Sequence, residues 1–243
     1  MAALAPDDWL SQAAGFACLR LDADAELSAG WAAQAPRPVA FVFCKIPVQH
    51  VERAKAISAV GFYVVDTNVT MVWIGAAPDE AAPEGIEIAV AGPEDHEQAQ
   101  GIAGSAFVYS RFHLDPIFPA EAANRIKREW IRSYCEGRRG ECLLVARQGR
   151  RVTGFLAVLG AEVGGKTAAV IDLIAVDSGS RGQGVGAALV RHFVRRWCTR
   201  AEVLRVGTQI ANAASLRLYQ RCGFSMVDAS YVLHAHVRDG KLL

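Results

Sequence analysis

Neither acidic nor basic residues predominate in this sequence. Its 26 basic and 25 acidic residues leave a formal net charge of +1, whereas nucleic-acid-binding proteins usually carry a clear basic excess. No apolar run approaches the roughly 20 residues that cross a bilayer, and the N-terminus has acids where a secretory signal carries Lys or Arg. We therefore expect a cytoplasmic protein that binds neither nucleic acid nor membranes.

Closely spaced metal ligands are absent too. No Cys-x-x-Cys pair occurs, whereas structural metal sites and disulfide frameworks need closer or more regular spacing. His234 and His236 fall on one side of a predicted strand, but no third ligand accompanies them. We expect two structural histidines, no metal, and reduced thiols at Cys18, Cys44, Cys135, Cys142, Cys198 and Cys222.

The composition changes once along the chain. Residues 76–85 are rich in Pro, Gly, Ala and acids and lack a periodic apolar face, which is typical of a linker. They divide a small N-terminal α/β region, residues 1–75, from a larger domain over 86–243. Apolar periodicity predicts strands over 39–44, 62–74, 86–91, 141–147, 152–161, 168–176, 203–209 and 226–237, helices over 47–60, 95–109, 119–136, 184–199 and 213–222, and a loop over 110–118.

Strands mixed with helices, some joined as hairpins, indicate an α+β or mixed α/β fold. The sequence also repeats itself weakly, because Gly61 and Gly223 each follow a predicted helix, precede a Phe and open a predicted strand. Two interpretations stay open: a degenerate second copy of one half-fold, or a common helix–Gly–strand junction. The first copy has no glycine loop before it, so it should not bind a cofactor.

A glycine-rich loop, Arg181-Gly182-Gln183-Gly184-Val185-Gly186, follows the strand predicted over 168–176, and an amphipathic helix that includes Ala187 begins there. Glycines let consecutive backbone N–H groups face one point. A helix N-terminus adds unsatisfied donors and partial positive charge. Strand, turn and helix together predict a cradle for an anion such as a pyrophosphate.

Two other kinds of phosphate loop fit less well. A Walker loop ends in Gly-Lys-Ser/Thr, and that ending is missing here. A dinucleotide-binding loop fits formally as Gly182-x-Gly184-x-x-Ala187. However, the acid expected about 20 residues later, at the end of the next strand, is replaced by Gly207-Thr208-Gln209. A dinucleotide oxidoreductase is therefore disfavoured.

The loop resembles the Arg/Gln-x-x-Gly-x-Gly/Ala signature of the GNAT acetyltransferase superfamily. Downstream, Asn212-Ala-Ala-Ser215-Leu-Arg-Leu-Tyr219-Gln-Arg-Cys-Gly223-Phe224 resembles that superfamily's second motif. The resemblance covers residues 86–237 and implies a twisted, largely antiparallel sheet with flanking helices. It also implies acetyl-CoA as co-substrate, with its pyrophosphate on the loop amides. The implied contacts outside the loop are Leu173, Ile174, Ala175 and Val176, on a strand splayed from its neighbour, with Asn212 and Ser215.

Acetyl transfer to an amine also needs an acid and a base. Tyr219 shares a helix face with Asn212 and Ser215, has an unperturbed pKa of about 10, and matches the family tyrosine that protonates the coenzyme A thiolate. Asp172 is a candidate base because it is ionisable within an apolar strand; a structural hydrogen-bonding role is the alternative. Further candidates for the base are His113, Asp115 and Glu162.

The predicted loop over 110–118 combines a fixed charge, an aromatic ring and an imidazole at Arg111, Phe112 and His113. Such a set suits a ring-shaped polar acceptor, or it is incidental to a connecting loop. With Trp130, Gly137-Arg-Arg-Gly140 and Gly154-Phe155, the segment is similar to the TDP-fucosamine acetyltransferase group. That resemblance implies transfer to the 4-amino group of a nucleotide-linked 4-amino-4,6-dideoxy sugar and leaves a homodimer open. The alternatives are a non-catalytic acyl-CoA-binding or sensing module, and an acetyltransferase for a protein or small-metabolite amine.

Overall fold

A computed structural model describes residues 4–76 and 83–243 of the chain. Most of the predicted linker, residues 77–82, lies outside the described residues. The N-terminal elements are β1 (Leu4–Pro6), α1 (Asp8–Ala14), β2 (Ala17–Leu21), β3 (Val39–Pro47), α2 (Val51–Ala59) and β4 (Tyr63–Trp73). The later elements are β5 (Glu87–Val90), α3 (His96–Ala103), α4 (Arg111–Leu114), α5 (Ala120–Cys135), β6 (Cys142–Gln148), β7 (Arg151–Val163), β8 (Lys166–Val176), α6 (Val185–Trp197), β9 (Val203–Gln209), α7 (Ala213–Arg221), β10 (Phe224–Arg238) and β11 (Lys241–Leu242).

Every predicted strand and helix has a counterpart, although the predictions missed the strands β1, β2 and β11 and differ from the structure in three further places. The helix predicted over 95–109 is shorter in the structure and ends at Ala103, with Gly104 as its C-cap. The segment predicted as a loop over 110–118 contains the short helix α4. The predictions also missed α1, whose N-cap Asp7 accepts a hydrogen bond from the Leu10 amide (2.9 Å).

The strands of the described ranges form one sheet in the order β1-β2-β3-β10-β4-β9-β8-β7-β6-β5, with β11 beside β10. Neighbours run antiparallel except for two parallel pairs, β2 with β3 and β8 with β9. Helices flank this sheet, and within the described residues none is long and apolar enough to cross a membrane. The predicted mixed fold with a largely antiparallel sheet is confirmed.

Strand β4, from the N-terminal part, lies between β10 and β9 of the C-terminal part. Its Val69 and Met71 are fully buried and belong to the same core cluster as Leu189 and Phe193 of α6. Hydrogen-bonded ladders therefore join the two parts of the chain. The division into two domains stays a prediction from composition, and the sheet continues across it.

The same order of elements occurs twice. Parallel β2 and β3 are followed by α2 and β4, and parallel β8 and β9 are followed by α7 and β10. The last strand of each set lies beside the other set, since β4 borders β9 and β10 borders β3. Gly61 and Gly223 both have positive φ, 101° and 87°, at the matching helix–strand junctions. This arrangement agrees with the degenerate-copy interpretation, which remains a hypothesis about origin.

Burial of Met71 makes a testable prediction about the shared sheet. Met71→Ala should lower the free energy of unfolding by about 2–5 kcal/mol, because it leaves a cavity in the α6 core. Met226, the cross-strand partner of Met71 on β10, is 63% exposed, so Met226→Ala should change it by less than about 1 kcal/mol. Denaturant unfolding measures both variants. Equal losses would contradict the place of β4 in this core.

Candidate functional site

The glycine loop forms a left-handed turn at the start of α6. Gly182 and Gly184 have φ of 78° and 82°, a conformation that glycine adopts without strain. Gly184 is the N-cap of α6. Among the described residues, the backbone amides from Arg181 to Ala187 have no hydrogen-bond acceptor. A Cβ at Gly182 would meet nothing within 4 Å, so there is open space beside this residue of the loop.

Side chains of the loop hold it in place. Arg181 donates from Nη2 to the Ala106 carbonyl (3.0 Å), and Gln183 donates from Nε2 to the Gly179 carbonyl (3.1 Å). Val185 is only 1% exposed, so it offers its amide, not its side chain, to a ligand. The open amides and preformed turn fit a pyrophosphate group.

Strand β8 parts from β9 beside this loop. The two strands pair only over Ala168–Ile171, whereas Leu173 to Val176 pair with β7 alone. The register with β7 shifts at Asp172, because Ile171 and Leu173 face the adjacent residues Val158 and Ala157. Asp172 is thus the extra residue of a bulge. The backbone edge from Leu173 to Val176 that β9 leaves unpaired is the splayed strand implied by the family resemblance.

Helix α7 brings the second motif to the loop. Asn212 caps this helix, and its Oδ1 accepts a hydrogen bond from the Ser215 amide (3.2 Å). Gly186 lies against the same helix, since a Cβ there would be 3.3 Å from Cδ2 of Leu218. Tyr219 is 2% exposed, and burial raises the pKa of its phenol above the usual value. Tyr219 therefore keeps its proton at neutral pH.

Asp172 is an anchor for the surrounding elements. Its carboxylate accepts hydrogen bonds from Trp130 Nε1 (2.8 Å), Tyr134 Oη (2.7 Å) and Arg139 Nε (2.8 Å). Burial alone would raise the pKa of Asp172, but these donors, Arg139 first, hold that pKa below its usual value. A carboxylate stabilised in this way is a weak proton acceptor, so its contacts favour the structural alternative over the predicted role as base.

The other candidate bases are also engaged or distant. The ring of His113 lies between Ser110 Oγ (2.6 Å from Nδ1) and Asn124 Oδ1 (2.9 Å from Nε2), and burial lowers its pKa. Glu162 pairs with Thr167 at the β7–β8 hairpin, at the opposite end of β8 from the splayed residues. The contacts of His113 and Glu162 therefore do not indicate a base at the splayed end of β8.

Asp115 joins the two histidines that the sequence left without a partner. Its Oδ2 lies 2.6 Å from His234 Nδ1 and 2.8 Å from His236 Nε2, and its Oδ1 accepts from Tyr63 Oη (2.7 Å). Burial opposes ionisation, yet these donors hold the pKa of Asp115 well below its usual range. The carboxylate oxygen and the two imidazole nitrogens are close enough together to ligate one metal ion. However, the distances from the oxygen to the two nitrogens are those of direct hydrogen bonds. This cluster ties the α4–α5 connection to β10.

Helix α4 carries Arg111, Phe112 and His113, the three residues predicted to bind the acceptor substrate. Phe112 is 2% exposed and packs in a core cluster with Phe41 and Phe118, and its contact with an acceptor stays a prediction. It supports Arg111, whose guanidinium carbon lies 4.5 Å from the Phe112 ring centroid and 3.9 Å from that of Phe43. Burial lowers the pKa of Arg111 to about 10. Of the three predicted residues, Arg111 has the free donors that suit a ligand.

Sequence reasoning missed a polar strip across the middle of the sheet. Lys45 donates from Nζ to Asn68 Oδ1 (3.3 Å), and Arg205 donates from Nη2 to Thr70 Oγ1 (3.3 Å). Asn68 and Thr70 alternate with Val69 and Met71 on β4, so the strip faces away from the α6 core. The signal in the sequence was a charge inside an apolar run, as at Lys45 between Cys44 and Ile46.

Asp66 lies next to this strip on β4. It is 6% exposed, and burial raises the pKa of its carboxyl to about 6, with Lys45 acting in the opposite direction. The strip and Asp66 come from both the N-terminal and the C-terminal parts of the chain. A ligand on this face would therefore contact both parts.

Comparison with known proteins agrees with this geometry. Residues 107–224 match the model of the Acetyltransferase (GNAT) family. The chain is 28% identical over 196 residues to the spore coat polysaccharide biosynthesis protein SpsD of Bacillus subtilis, covering 80% of this chain and 66% of that protein, just under two thirds of its length. It is 26% identical over 200 residues to the dTDP-fucosamine acetyltransferase of Escherichia coli, covering 81% of this chain and 82% of that one.

A solved structure shares the fold. The GCN5-related N-acetyltransferase from Sphaerobacter thermophilus superimposes with a TM-score of 0.60 at 19% identity, over 86% of this chain and 64% of that one. The glycine loop, the parted strands and the Tyr219 helix all belong to the segment from β8 to α7, which lies entirely within the range matched by the family model. Residues 107–224 of this chain therefore match a GNAT acetyltransferase domain.

Proposed function

We propose that this protein transfers the acetyl group of acetyl-CoA to the 4-amino group of a nucleotide-linked 4-amino-4,6-dideoxy sugar. The observation that carries the proposal is the set of open amides from Arg181 to Ala187 beside the unpaired edge of β8. Acetyl-CoA, when bound, supplies the thioester. The loop amides would hold its pyrophosphate, and the edge from Leu173 to Val176 would hold its pantetheine arm.

The chain's own groups supply two further requirements. An amide freed by the bulge at Asp172 can stabilise negative charge that develops on a carbonyl oxygen at the end of the parted strands. Tyr219 holds a proton that it can donate to a leaving thiolate. No step is assigned to Asp172, because its carboxylate is already saturated by donors.

The choice of acceptor is supported by the relatives and by the polar strip. One relative is named for a dTDP-linked amino sugar and the other for polysaccharide synthesis. Lys45 and Arg205 supply cations on the open face, which suits a nucleotide diphosphate. We place the enzyme in the cytoplasm, where its free cysteines stay reduced.

An acceptor panel tests the proposed activity. Purified protein with acetyl-CoA should release thiol fastest with a nucleotide-linked 4-amino sugar, compared with free amino sugars, amino acids, a lysine peptide and peptide N-termini. The measurement is thiol release with mass-spectrometric detection of the N-acetylated product. Faster turnover of a peptide would contradict the proposed acceptor and indicate a protein amine instead. Tight acetyl-CoA binding with no turnover of any amine would favour the sensing module.

Substitution of Tyr219 tests its role as acid. Tyr219→Phe should lower kcat by roughly 100- to 10,000-fold, since it removes the proton donor, while the affinity for acetyl-CoA measured by calorimetry stays the same. Tyr109, which is 42% exposed, provides the control variant Tyr109→Phe, which should keep full turnover. Retention of kcat by Tyr219→Phe would exclude the phenol as the acid.

A pair of glycine substitutions tests the loop. Gly182 and Gly149 both have positive φ, 78° and 62°, and open space where a Cβ would be. Each Gly→Ala change should therefore cost a similar amount of stability, about 1 kcal/mol or more. Only Gly182→Ala should weaken coenzyme A binding, by roughly 10-fold or more if one amide contact is lost. Equal coenzyme affinities in the two variants, measured by calorimetry, would place the pyrophosphate elsewhere.

A further inference from the structure

Two cations on the α4–α5 side of the sheet lack an anionic partner. Lys127 is 6% exposed, and Arg111 has a buried Nη1 without a hydrogen-bond acceptor. Within residues 4–76 and 83–243, neither forms an ion pair at 4.0 Å or less. Their contacts are with aromatic rings: Lys127 Nζ lies 5.0 Å from the Phe107 centroid and 4.9 Å from the Trp130 ring.

The two cations are close enough to repel each other. Arg111 and Lys127 lie over the same ring, that of Phe112, at 4.5 Å and 5.9 Å from its centroid. Burial, followed by the charge of Arg111, lowers the pKa of Lys127 to about 7, with Asp172 acting in the opposite direction. Burying two such charges together without a counter-ion disfavours folding, so the arrangement needs another explanation.

The nearby carboxylates attract the two cations without forming an ion pair with them, because their oxygens are hydrogen-bonded elsewhere. Asp172 is bound by Trp130, Tyr134 and Arg139. Asp115 is held by its two histidines and a tyrosine, and Asp7 caps α1. An anion in direct contact with Arg111 and Lys127 would therefore come from outside the described part of the chain.

The pair lies beside the splayed end of β8. Lys127 contacts the Trp130 ring, and Trp130 donates to Asp172, the bulge residue that precedes Leu173. Lys127 is thus linked through Trp130 and Asp172 to the edge on which the proposed thioester would lie. Aromatic rings enclose the ammonium and exclude water, which strengthens a charge-assisted hydrogen bond there.

We propose that Arg111 and Lys127 bind an oxyanion of the acceptor, a phosphoryl or a carboxylate group, and so orient its amine toward the splayed strand. This inference rests on the proposed function for the amine acceptor. The guanidinium supplies two parallel donors and the ammonium supplies a point charge. A sugar-linked phosphate and the carboxylate of an amino acid are the two sources of such a group.

Kinetics of Lys127 variants test this assignment. Lys127→Met should raise the acceptor KM by about 10- to 100-fold, the loss expected for one charged hydrogen bond, with little change in the KM for acetyl-CoA. Lys127→Arg keeps the charge and should stay within a few-fold of the unmodified protein. Lys55→Met, at a residue whose side chain is 77% exposed, is the control. A Lys127→Arg variant that loses kcat at unchanged KM would overturn the proposal, because it would indicate proton transfer.

Anion binding gives a readout independent of turnover. With coenzyme A saturating the loop, sulfate should raise the unfolding temperature of the unmodified protein and of Lys55→Met more than that of Lys127→Met. Because the pKa of Lys127 is lowered to about 7, this excess should be present below pH 7 and decline above it. Arg111 and Asp172 keep their charge over this pH range, but His113 also titrates nearby. The variant His113→Asn, measured in parallel, should therefore show the same decline of the sulfate effect above pH 7.

The outcomes separate this inference from the proposed function. If sulfate protection depends on Lys127 but no amino sugar is turned over, the anion site is supported and the proposed acceptor is rejected. If the nucleotide-linked sugar is turned over and its KM is unchanged in Lys127→Met, the anion site is rejected and the proposed acceptor is supported. Comparing the nucleotide-linked sugar with its phosphate-free form and with an amino acid identifies the source of the oxyanion.

Discussion

The hydrogen-bonded carboxylate of Asp172 is the constraint on which the rest of the site depends. It is the extra residue of the β8 bulge, and α5 and Arg139 hold it by charge-assisted hydrogen bonds. Because of that extra residue, Ile171 faces the α6 core while Leu173 faces the core under α3 and α5. The same bulge ends the pairing with β9 and leaves the edge of β8 open.

Burial and pairing together distinguish structural charges from functional ones. Asp172 and Asp115 are buried with several donors each, so their ionisation stabilises the fold. Lys127 and Arg111 are buried among rings without an acceptor in the described residues. An unpaired buried charge disfavours folding, so it marks a place where a ligand would restore the balance.

The N-terminal part takes a direct share in the sheet and the candidate site. Strand β4 fills the position between β9 and β10, so its apolar face completes the α6 core. Its other face carries Asp66, Asn68 and Thr70 toward Lys45 and Arg205. The glycine loop and the parted edge of β8 are therefore built by the C-terminal part alone, whereas the polar strip requires both parts.

Local patterns in the sequence determined the glycine loop and the cap of helix α7. The turn at Gly182 and Gly184 needs residues that tolerate positive φ, and Asn212 caps its helix three residues ahead of the Ser215 amide. Such features involve neighbours in the chain, so spacing alone predicts them. Secondary-structure periodicity likewise located most strands, although it missed β2 and the helix α1.

Only the tertiary structure decided the order of the strands in the sheet and the contacts between distant segments of the chain. The sequence placed β4 in a separate region, and nothing in its pattern indicated a position between β9 and β10. Asp115 meets His234 across 119 residues, and the burial of Lys127 depends on rings from other segments. Local periodicity sets which face of an element is apolar, but it does not specify the partner that covers that face.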